Sequence, residues 1–141
     1  MLTVNDIRTV FPAILPLTEY NIALAEQALD FLWHERQKER GYLITAERSG
    51  SCKFAALLAR ELFGGQLAGN LDHVFVILSD GAVLDLNRHQ PDVVYLGEKA
   101  HFSFGRALHH YEYRQALSSC VPRVNKWKNW VLSQIDIQKT A

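Results

Sequence analysis

The chain has 141 residues, 48% of them hydrophobic, which is enough for one domain spanning residues 1–141 with a sizeable core. Fifteen basic residues balance fifteen acidic ones, so no whole-chain charge draws it to nucleic acid or to an anionic membrane. No apolar run is long enough to span a bilayer, no secretory signal opens the chain, and two cysteines make no disulfide framework. The expectation is a cytoplasmic protein with reduced thiols, and delivery as a bacterial effector by a non-classical route also fits.

In chain order, Thr3 is placed to cap a short helix through Val10, and Pro12 and Pro16 bracket a turn. A longer helix from Thr18 carries Ile22, Ala25, Leu29 and Leu32 on one face with Trp33 beside it. It ends in a charged run over residues 34–40, read as a solvated helix end, before Gly41. Residues 41–48 lead into a loop and supply part of a cleft wall or lid. Cys52 then opens a helix after Ser49-Gly50-Ser51, with Ser49 or Ser51 as N-cap and Gly64-Gly65 as its end. Ala55, Ala56 and Ala59 share the face of Cys52, and Phe54, Leu58 and Leu62 form a second apolar stripe. Polar positions are confined mainly to Lys53, Arg60 and Glu61, the pattern of a buried central helix that a sheet can approach closely.

His73 opens a strand over residues 74–79, and Asp80-Gly81 marks a hairpin turn into a second strand over residues 82–87. Register decides what this hairpin brings together. A two-residue loop pairs Val76 with Asp85 and puts His73 and Asp85 on opposite faces. A three-residue loop pairs Phe75 with Asp85 and His73 with Asn87, placing all four on one face. Residues 93–96 read as a further short strand, and residues 104–117 have no regular pattern. A helix break near Cys120 precedes a final helix in which Val124, Trp127, Val131 and Ile135 recur behind Pro122, with Trp130 flanking. Arg123, Lys126 and Lys128 read as its solvated side.

The chemistry converges on Cys52. Unpaired amides and the positive dipole end at a helix N-terminus favour thiolate over thiol. His73 is the expected base and Asp85 its orienter, with Asn87 able to orient the ring without a charge. Taken singly, each residue has an ordinary structural explanation: a buried cysteine, a histidine at a sheet end, an exposed strand acid. The backbone N–H of Cys52 is the expected oxyanion donor. Zinc is not expected, because Cys-x-x-Cys and His-x-x-x-His pairs are lacking and the adjacent His109 and His110 diverge on any regular element. His89, His101, His109 and His110 are therefore read as surface or packing residues, and no cofactor is expected.

The ordered pattern of Gly50-Ser51-Cys52, a helix ending in Leu62-Phe63-Gly64-Gly65, His73 opening a strand, Asp80-Gly81, and Asp85-Leu86-Asn87-Arg88 followed by Gln90 resembles the YunG-like group of small bacterial proteins. That group is related to papain-like and transglutaminase-like thiol enzymes. The resemblance implies an α+β domain with a central Cys-bearing helix on a small antiparallel sheet, flanked by N- and C-terminal helices. It also implies Cys52 as nucleophile, His73 as base and Asp85 as orienter. The family pattern has glutamine before the cysteine where this chain has Ser51. The expected activity is acyl transfer, by hydrolysis or deamidation of a peptide or protein amide. A noncatalytic binding or regulatory protein that keeps the fold is the alternative.

Overall fold

Three helices precede the sheet in the computed structural model, which describes residues 1–140, with side chains described through Ile135. α1 (Val4–Arg8) is closed by a reciprocal cap in which Thr3 Oγ1 accepts from the Asp6 N–H and the Asp6 carboxylate accepts from the Thr3 N–H. It stops short of Val10 because Thr9 is already extended. α2 (Glu19–Glu39) starts behind Thr18, whose hydroxyl accepts from the Asn21 N–H at 3.0 Å, and Gly41 follows its end at a positive φ of 69°. Ala25, Leu29, Leu32 and Trp33 are buried, as their spacing predicts. The charged run is not simply solvated. Gln37 is buried and bonds Thr45, and the Arg36 guanidinium lies over the rings of Trp33 and Phe54 at 5.0 and 4.8 Å.

α3 (Cys52–Phe63) is the central element, with Ala55, Ala56 and Ala59 buried together with Phe54, Leu58 and Leu62. Gly64 ends it at φ 79°. A Cβ there would stand 2.6 Å from the Phe11 carbonyl oxygen, so both the backbone angle and the crossing of the N-terminal segment require glycine.

Three antiparallel strands follow in spatial order β1 (Gln66–Gly69), β2 (Val74–Ile77) and β3 (Val83–Leu84). β1 has little strand propensity and no sequence expectation. It forms because Asn70 turns the chain, its side-chain oxygen accepting from the N–H groups of Asp72 and His73 at 2.9 and 3.0 Å. Between β2 and β3 the pairs are Val76 with Leu84 and Ile77 with Val83, the register of a three-residue Ser79-Asp80-Gly81 loop. Leu78 closes it, donating to the Ala82 carbonyl and accepting from the Gly81 N–H, with Gly81 at φ 87°. Val74, Val76, Leu84 and Leu86 join α3 in the core. The alternate residues His73, Phe75, Asp85 and Asn87 take the other face, as that register requires.

Two expectations fail beyond the hairpin. Residues 93–96 are not a strand but part of α4 (Pro91–Leu96), because Pro91 at the first turn and Gln90 as N-cap start a helix that the Val93-Val94 pair only disguises. It runs into a 3-10 turn at Gly97–His101, and a second such turn spans Ala107–His109. The break expected near Cys120 is absent. α5 (Tyr111–Thr140) passes through Pro122, whose missing N–H and ring typically cost a helix about 3 kcal/mol. Leu117, Cys120, Val124, Trp127 and Val131 are all buried, so packing along both sides of the proline holds the helix together. α5 packs on α3, which in turn packs on β2, giving an α+β arrangement in which helices surround a small antiparallel sheet. No helix among the described residues is long and apolar enough to cross a membrane.

Candidate active site

Cys52 owes its position to a polar clamp between its loop and the segment after β3. Arg48 is buried at 2% exposure. Its Nε donates to Asp30 at 2.6 Å, one terminal nitrogen donates to the Leu86 carbonyl at 3.1 Å, and the other donates to Asn87 Oδ1. Gln90 Oε1 accepts from the Arg48 N–H at 2.6 Å, and the Asp92 carboxylate accepts from the Gly50 N–H at 2.9 Å. Ser51 occupies the N-cap position, but its hydroxyl does not cap the helix. It accepts from Asn87 Nδ2 at 2.8 Å instead. The first backbone bond of the helix runs from the Ala55 N–H to the Ser51 carbonyl, so the amides of Cys52, Lys53 and Phe54 have no helical acceptor and no capping side chain. Donors and dipole are left directed at the space beside the thiol.

His73 sits just ahead of β2, fixed by the Asn70 turn. The Asn70 amide group donates onward to the carbonyls of Lys99, Ala100 and Phe102, tying the 3-10 turn that carries His101 to the same corner. Both imidazoles converge on one oxygen. His73 Nε2 and His101 Nε2 each lie 2.7 Å from Asp85 Oδ2, while Asp85 Oδ1 accepts from the Asn87 N–H at 2.9 Å. The Phe75 ring packs edge-on to His101 at 5.0 Å.

The charges follow from this geometry. Burial opposes ionisation of Asp85, but hydrogen bonds from His73 and His101, the His73 charge and the Asn87 N–H outweigh it and hold the carboxyl below its ordinary value. Burial likewise opposes a charged His73. The Asp85 hydrogen bond and the interactions with the Cys52 side chain prevail and push the imidazole up to about 9. An ionised carboxylate only accepts, so Nε2 of His73 carries a proton, and Nδ1 is the ring nitrogen left for Cys52.

Cys52, His73 and Asp85 are thus brought together in one corner of the fold. Asn87 is not an orienter: its amide is engaged by Arg48 and Ser51, and Asp85 holds the ring. Ser49 is no cap either, because the N-cap position falls to Ser51 and no side chain caps the helix. His101, read as packing, belongs to the site, and Arg48 was read only as part of a cleft wall. Neither carries a local signal, because one depends on a loop anchored 31 residues away by Asn70 and the other on burial of an arginine.

Cys120 is buried on α5, its thiol donating to the Ala116 carbonyl at 3.4 Å, and both cysteines are free. The ligand atoms of His73, Asp85 and His101 lie within 4.8 Å of one another, a set the spacing argument against a metal did not anticipate. Nitrogens and oxygens around one zinc ion stand roughly 3.3 Å apart, given bonds near 2.0 to 2.1 Å. The 2.7 Å separations here are hydrogen-bond lengths.

Access is narrow. Cys52 is 9% exposed and His73 1%, whereas the His101 side chain is 34% exposed. Tyr113 flanks the thiol side: burial pushes its phenol upward, the Cys52 charge adds to this, and Lys53 lies 5.1 Å from its ring. Tyr113 also lines a depression of about 560 Å³ with Leu71, His110, Tyr111 and Glu112. No protein-family model, curated protein or solved structure matches the chain.

Proposed function

We propose that the chain is a thiol-dependent acyl-transfer enzyme of papain-like or transglutaminase-like architecture, acting in the cytoplasm on an amide of a peptide or protein. The observation that carries this reading is the line from Asp85 through His73 to Cys52, with the proton-bearing Nε2 on the carboxylate and Nδ1 left to the thiol. In the first step the Cys52 sulfur bonds to the carbonyl carbon while its proton is held by His73. The oxyanion is met by the uncapped first-turn amides of α3. Collapse breaks the carbon–nitrogen bond, and His73 gives its proton to the departing amine. Water then attacks the thioester, His73 takes the water's proton, and the acid leaves as the thiol is restored. The YunG-like pattern points the same way.

Burial of Cys52 and His73 favours a second reading, a noncatalytic binding protein that retains the site. p-Nitrophenyl acetate separates the two. The enzyme reading predicts a burst of p-nitrophenolate with acetyl found on Cys52 by peptide mass spectrometry, abolished in His73→Ala. Acetylation spread evenly over Cys52 and Cys120, or unchanged by His73→Ala, supports the binding protein.

A further inference from the structure

Away from the thiol, the last two turns of α2 and the middle of α5 enclose a cavity of about 560 Å³ into which Arg36, Arg40, Arg123 and Lys126 all project. Glu39 is the one carboxylate among the described residues lining it, and both its oxygens are taken by Arg123 at 3.0 and 3.1 Å. The chain as a whole has no net charge, so this concentration of cations is local.

A structural ion-pair network alternates sign, and this one does not. Arg36 Nε is buried with no hydrogen-bond partner among the described residues, its guanidinium pressed against Trp33 and Phe54. Burial lowers its proton affinity, and the charges of Arg40 and Arg123 lower it further, the mark of cations that repel one another. Among the described residues Lys126 forms no ion pair, and Arg40 Nε has only the Tyr42 hydroxyl, at 3.2 Å. The helix dipole accounts for basic residues in the last turns of α2 but not for Arg123 and Lys126, which lie mid-helix. Lys128, two residues on, is paired with Glu61, as an ordinary surface lysine is.

We infer that this cavity is a binding site for a small molecule bearing a phosphate or pyrophosphate group. Guanidinium forks match phosphate oxygens in pairs, and a cleft lined by one sign of charge concentrates the opposite ion. The volume suits a small ligand. An anion there would relieve the repulsion among the four cations.

Isothermal titration of the full chain with pyrophosphate at constant ionic strength tests the site, with inorganic phosphate as the smaller probe. One saturable site is expected, with pyrophosphate binding more tightly than phosphate. Lys126→Gln, an exposed change that leaves the core alone, weakens binding about tenfold, the effect of one charge-assisted hydrogen bond. Arg36→Gln weakens it at least as much. Glu39→Gln tightens binding by freeing Arg123, and Lys128→Gln leaves it unchanged. Should Arg36→Gln fail to fold, the Lys126 and Glu39 variants decide. Absence of saturation, or equal weakening by Lys126→Gln and Lys128→Gln, overturns the inference.

Discussion

His101 Nε2 lies 2.7 Å from Asp85 Oδ2, the oxygen that also receives His73, so one buried carboxylate holds two imidazoles. His101 reaches Asp85 from a turn that Asn70 pins beside His73, and its role is to position the carboxylate. Replacing it with alanine removes one charge-assisted hydrogen bond from a partly exposed partner, a loss of about 1–2 kcal/mol. It also lets the Asp85 carboxyl rise toward its ordinary value, so acid unfolding begins at higher pH. Urea denaturation across the acid range measures both effects. An unchanged acid limb contradicts the role.

The pair of His73 and Asp85 sets two limits on stability. His73 is raised from 6.5 to about 9 in the folded chain, so its charged form contributes stability that is complete below about 6.5 and lost as the pH climbs through about 9. Asp85 is lowered from 3.8, so its contribution is present above that value and lost as the pH falls through the depressed folded value. Asp85→Asn is expected to flatten both limbs and to return the His73 titration, followed by NMR, toward 6.5. A His73 titration that stays near 9 in that variant shows the shift to have another source.

Arg48 is the buried charge on which the cysteine loop depends. Arg48→Ala leaves Asn87 Oδ1 and the Leu86 carbonyl without their donor, and a buried acceptor left unpaired typically costs about 1–3 kcal/mol. Arg48→Met fills the space without the donors and is expected to cost less than alanine. Both variants release Ser51 and Asn87 and reduce Cys52 reactivity even where the fold survives. Full reactivity in a folded Arg48→Met variant argues against a positioning role for this clamp.

Gly81 sets the hairpin register through its φ of 87°, and nothing lies within 4 Å of where a Cβ would be. Gly81→Ala therefore costs backbone strain alone, about 1 kcal/mol, with the register kept. A thermal unfolding curve identical to that of the parent chain shows that the loop relaxes without cost.

What could be read from the sequence was carried by local signals. Thr18, Gly64 and the Ala55-Ala56-Ala59 face each act within a helical turn or two, and the structure follows them. The hairpin was legible as a pair of alternatives, because parity fixes which loop length unites His73 with Asp85. Features set by distant contacts were hidden. β1 forms on a carboxamide turn rather than on strand propensity, and His101 depends on that same Asn70. Residues 93–96 looked like a strand because the valine pair outweighed Pro91, and Pro122 looked like a break because the packing that overrides it lies on other elements.

The central claim is a His73-dependent nucleophile at Cys52, and Cys120 is its internal control. Burial raises the Cys120 thiol above its ordinary value, which makes it slow toward electrophiles. Labelling the folded chain with iodoacetamide at mildly acidic pH, with site-resolved mass spectrometry, tests the claim most directly. The account predicts modification of Cys52 well ahead of Cys120, with that preference lost in His73→Ala. Equal, slow labelling of both cysteines, unchanged by His73→Ala, contradicts it.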